Sequence, residues 1–112
     1  MSTLSPRLFI AQRVSALVMA PLVLGHIAVM IVAIQGGLDS AEILARTQGS
    51  LLWALFYGIF VLAVSVHAAI GMRVVASEWL TVSRGVLDTL SLALGLALLS
   101  LGTYAVIAVT LP

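Results

Sequence analysis

The chain has 112 residues, 62% of them hydrophobic, with five basic and four acidic side chains and a net charge of +1. Its mean hydropathy is +1.26, more apolar surface than a soluble core of this size can hide, so the solvent is lipid. Cysteine is absent, which excludes disulfides, thiolate metal sites, iron–sulfur ligation and covalent c-type haem attachment, and the small net charge leaves no nucleic-acid footprint.

Three stretches carry no formal charge, at residues 14–34, 51–72 and 90–111. Each is close to the ~20 residues a helix needs to cross ~30 Å of hydrocarbon. The expected fold is all-α: one transmembrane domain over residues 1–112, with helices at about 14–35, 50–75 and 86–111. The first stretch follows Arg7 and Arg13 but is too long for the apolar part of a signal peptide, so it reads as a retained span. Pro21 lies inside it and is expected to kink the helix. Between the first two spans, Gly36-Gly37 and then Asp39-Ser40-Ala41-Glu42 predict a turn and a short capped helix. Arg73 and Arg84 follow the second span, whereas Arg46 is the lone cation of the first loop. The arginine bias puts the N-terminus and second loop in the cytoplasm, and the first loop and Pro112 outside.

Two histidines, His26 and His67, fall within the apolar spans. An imidazole in hydrocarbon is costly unless something satisfies it, so each marks a functional site by default. His26 is 13 residues beyond Arg13, and His67 is six residues before Arg73. Helical rise then sets their depths about 10 Å apart. Two axial ligands of one haem must meet the iron at nearly one depth, so these two imidazoles are poor candidates for the same iron, and each would need a ligand from another chain. One turn either side of His67 stand Ala63 and Gly71, small enough to leave a flat slot beside the ring. His26 has bulkier neighbours, Leu22 and Met30. Plainer readings stand beside these. A membrane histidine can bond a neighbouring helix, and small residues at this spacing are commonly packing faces. Boundary arginines such as Arg73 snorkel, and Trp53 and Trp79 suit an interfacial belt.

Two motifs carry a resemblance. Gln12-Arg13-Val14-Ser15-Ala16 opens the first span, and His67-Ala68-Ala69-Ile70-Gly71-Met72-Arg73 closes the second, followed by Glu78-Trp79. In their order and boundary positions they resemble the cytochrome b membrane anchors of succinate dehydrogenase and fumarate reductase. The resemblance implies half of an anchor helix bundle in a complex with a flavoprotein, an iron–sulfur subunit and a second anchor, or a second copy of this chain. It implies haem b with His67 as an axial ligand, and Arg13 and Arg73 near the propionates. It implies a quinone site at Arg13, Ser15, Glu78 and Trp79. His26 matches the ligand of a second, distal haem found in part of the family. Phe9 stands where a quinone-binding Ser is common, and Glu78-Trp79 stands where the other kind of anchor has Asp-Tyr.

The function expected from the resemblance is electron transfer from the iron–sulfur subunit to quinone, in a bacterial inner membrane. On its own the chain would catalyse nothing. Two alternatives stay open: a cofactor-free structural anchor, and a proton-relay or transport protein using the histidines as shuttles.

Overall fold

The structure is a computed structural model and describes residues 4–112. Four helices follow one another: α1 Pro6–Gln35, α2 Ser40–Thr47, α3 Leu51–Trp79 and α4 Arg84–Thr110. Three of them, α1, α3 and α4, are long and apolar enough to cross a membrane. The all-helical, three-span expectation therefore holds.

The helices outrun the charge-free stretches. α1 begins at Pro6, not near residue 14. Ser5 caps it, accepting from Leu8 N at 3.3 Å, and Pro6 supplies a preset φ where no amide donor is needed. Ser50 and Ser83 cap α3 and α4 in the same way, accepting from Trp53 N and Val86 N. α3 runs on to Trp79, so Arg7, Arg13, Arg73, Glu78, Arg84 and Asp88 all lie on helices rather than in loops. The 30 residues of α1 correspond to about 45 Å, well beyond ~30 Å of hydrocarbon. The surplus projects at the arginine-rich end. Pro21 lies within α1, whose helix continues on both sides of it.

Between α1 and α3 the expected short helix forms. Asp39 caps α2 by accepting from Ala41 N at 3.0 Å. Glu42 pairs with Arg46 at 3.3 Å. The turn before α2 needs left-handed backbone at Gly37, φ 85°, and at Leu38, φ 57°, a conformation with little penalty only for the glycine.

α3 is the central helix, with α1 and α4 packed against it. Close approach is built from small residues. A Cβ placed on Gly25 would sit 3.1 Å from the Phe56 ring, one on Gly95 would sit 3.2 Å from Ala69, and one on Gly102 would collide with Val61. At the end opposite the arginine-rich one, Thr47 is 1% exposed. Its hydroxyl lies 2.7 Å from the Val109 carbonyl, and Gly49 N donates to Thr110 O at 2.8 Å. These bonds fasten α2 across the end of α4.

Candidate functional site

α1 runs antiparallel to α3, and this packing brings Ser15 onto His67. Ser15 is 6% exposed. Its hydroxyl donates to the Gln12 carbonyl at 2.9 Å and lies 3.3 Å from His67 Nδ1. A serine hydroxyl has one proton, and here the Gln12 carbonyl takes it. The hydroxyl oxygen can then only accept from His67, so Nδ1 carries the proton and the lone pair sits on Nε2. A ring held by one nitrogen with its lone pair on the other is the arrangement that metal-ligating histidines adopt.

The slot expected beside His67 is used differently. Gly71 faces Gln12 Nε2, which a Cβ would meet at 3.5 Å, and Ala63 is 7% exposed. The small residues admit α1, and Gln12 and Ser15 fill the space beside the imidazole. Gln12 Oε1 is left buried without a hydrogen-bond partner.

His26 packs against α3 nearer the end that carries α2. Its ring centroid lies 5.2 Å from Phe60 and 6.1 Å from Tyr57. Nδ1 is buried and has no hydrogen-bond partner. The ring borders a 340 Å³ cavity whose walls include Thr47 from α2, Val61 from α3 and Gly102 from α4. Phe60 precedes His67 by two helical turns and so shares its face. Both imidazoles therefore address the same side of α3. From Ser15 to His26 is 11 residues along α1, and from Phe60 to His67 is seven along α3. Their depths thus differ by about 10 to 16 Å, which keeps them off a single iron.

Other residues expected at the site are dispersed. Ser15, expected at a quinone, is spent on His67. Arg13 is exposed, its guanidinium 5.7 Å from the Phe9 ring centroid. Glu78 and Trp79 are exposed at the end of α3, Trp79 by 81%. Among the described residues, these four make no hydrogen bond with one another. Arg73, expected near propionates with Arg13, is ion-paired with Asp88 of α4. It follows His67 by six residues, which turns it about 120° away around α3. The residue missed by sequence reasoning is Gln12, whose amide packs against Gly71 and whose oxygen is left without a partner; its place in the motif was legible, its orientation was not.

The arrangement defines a polytopic membrane protein that presents two imidazoles at different depths on one face. Among the described residues, no three His, Cys, Asp or Glu side chains gather as a metal cluster. A family model, succinate dehydrogenase/fumarate reductase transmembrane subunit, matches residues 3–111. The chain belongs to that family. No curated protein and no solved structure matches it.

Proposed function

We propose that this subunit is a haem b anchor of a succinate:quinone or quinol:fumarate oxidoreductase, with His67 as an axial ligand through Nε2. The observation that carries the reading is the Ser15–His67 contact, which commits Nδ1 and leaves Nε2 free to ligate. Haem b supplies a one-electron relay between the iron–sulfur subunit and quinone. The second axial ligand comes from another anchor chain, because His26 lies at the wrong depth. Gln12 Oε1, orphaned on the same face, is satisfied by a donor from that partner. A buried polar atom without a partner is rare in finished structures and marks an incomplete surface.

His26 is the proposed ligand of a second haem. The cavity that adjoins its ring supports that role. Arg13 is the proposed propionate cation. Arg73 is not assigned that role, because it faces α4. The quinone site lies at the arginine-rich end, where exposed Glu78 and Trp79 meet the iron–sulfur subunit. Trp79 offers one N–H to a quinone carbonyl and no exchangeable phenol, so Glu78 or water supplies the protons. The N-terminus is cytoplasmic, the complex includes the flavoprotein, and the membrane is a bacterial inner membrane.

The test is a reduced-minus-oxidised spectrum of the membrane complex with His67→Ala. Loss of one low-spin haem signal, with the chain still inserted, is the expected result. An unchanged spectrum would return His67 to helix packing and favour a cofactor-free anchor.

A further inference from the structure

A 420 Å³ groove lies between α1, α3 and α4 at the arginine-rich end. Its walls are apolar, including Leu62, Ala69, Leu92, Leu96 and Leu99, and Arg73 and Asp88 stand at one end of it. The Arg73 side chain is 9% exposed and that of Asp88 is 68% exposed. Their ion pair uses Arg73 Nη1, while Arg73 Nε is buried and has no acceptor. A guanidinium offers five donors in a planar fork, and one carboxylate oxygen uses few of them. A further acceptor is therefore wanted inside the groove.

The charges define that acceptor. A purely anionic head would satisfy Arg73 but meet the Asp88 carboxylate. A neutral head would leave Arg73 Nε unpaired. A zwitterion with a phosphate for Arg73 and an N–H-bearing ammonium for Asp88 answers both. A long apolar chain then fills the leucine-lined groove, whose alternative in a membrane is disordered lipid.

The groove also opens to the right surroundings. Arg73 is turned about 120° from His67 around α3, so a subunit that meets His67 leaves this side to the bilayer. We propose that the groove is a site for one aminophospholipid in the leaflet at the arginine-rich end. Arg73 holds its phosphate, Asp88 its ammonium, and the α3–α4 wall an acyl chain. Access from the bilayer rests on the proposed partner at His67, whereas lipid binding to the isolated chain is read without haem or partner.

Native mass spectrometry of the delipidated full chain tests this. Phosphatidylethanolamine, phosphatidylglycerol and phosphatidylcholine are titrated separately, with inorganic phosphate as competitor. One molecule of phosphatidylethanolamine should bind in preference to the others, because the choline head has no N–H to give Asp88 and the glycerol head has no cation. Charge-assisted hydrogen bonds make the expected preference about tenfold. Inorganic phosphate should not compete, since it lacks the chain. Asp88→Asn should move the preference to phosphatidylglycerol by removing the opposing charge. Leu96→Trp should fill the groove and abolish binding without touching the head-group residues. Equal binding of the three lipids, displacement by inorganic phosphate or by a quinone, or an unaltered preference in Asp88→Asn would overturn the proposal.

Discussion

The Ser15 hydroxyl has one proton to give, and the Gln12 carbonyl 2.9 Å away receives it. That small inventory fixes the direction of the next bond, from His67 Nδ1 to Ser15. In Ser15→Ala the buried Nδ1–H loses its acceptor, at a cost of about 1–3 kcal/mol. The ring is then free to rotate or to exchange tautomer. With His67 as the proposed haem ligand, the low-spin resonance should broaden and shift in electron paramagnetic spectra and the midpoint potential should change, with haem retained in part. Ser15→Thr should restore both. In the haem-free chain, nitrogen-15 spectra of labelled histidine should report a single Nδ1–H tautomer for His67 and a mixture in Ser15→Ala. Identical spectra in both proteins would leave Ser15 as a packing residue. The motif containing Ser15 was plain in the sequence. Its partner was not, because the two residues are 52 positions apart and only the rotation of α1 against α3 decides which side chains meet. Arg73 illustrates the same limit. Its boundary position was legible, but pairing with Asp88 depends on how α4 returns along α3.

The helices were legible by hydropathy, and so were most of their ends; the start of α1 at Pro6 and the end of α3 at Trp79 were not. Charge-free stretches measure what hydrocarbon accepts, whereas a helix starts where its cap says so. Ser5 and Ser83 each accept an amide at 3.3 Å and start α1 and α4 ahead of their charge-free stretches, whereas Ser50 starts α3 at the edge of its own. The short α2 was readable because Asp39 is a cap in a polar loop. Its attachment to α4 through Thr47 and Gly49 was not, since those bonds reach Val109 and Thr110 far along the chain. Contact between α3 and α4 depends on a missing side chain. A Cβ on Gly102 would strike the γ-carbons of Val61, and a helical valine has little rotamer freedom with which to yield. Gly102→Ala should therefore force the helices apart. Overpacking costs about 1–3 kcal/mol, only partly offset by the better helix propensity of alanine. A lowered midpoint of thermal unfolding in detergent is the expected result. A raised midpoint would mean that Val61 repacks freely.

Across the whole molecule, the three long helices return the chain so that Arg7, Arg13, Arg73 and Arg84 gather at one end, opposite Arg46 and α2. Along that axis the two imidazoles sit on one face of α3 at depths about 10 to 16 Å apart. The separation was estimable from sequence, because helical rise is fixed. The shared face was not, because it follows from His26 packing on Phe60. α1 packs on this face through Ser15 and His26, so a partner that reaches either ring approaches beside α1. If each ring ligates its own iron, the complex holds two haems per pair of anchors and a haem-to-flavin ratio of two. His26→Ala should then remove one haem and lower the ratio to one, leaving the spectrum and potential of the His67 haem intact. His67→Ala should remove the other. If His26 only packs, the unaltered complex has a ratio of one, and His26→Ala changes stability alone. The cavity beside the His26 ring weighs toward the first outcome, because it gives a ligand room to arrive. The enclosed Nδ1 has no hydrogen-bond acceptor, so His26 lacks the anchoring bond that Ser15 gives His67, and its haem should be the more easily lost of the two. Haem extraction with flavin quantitation on the unaltered complex and both variants separates the two arrangements.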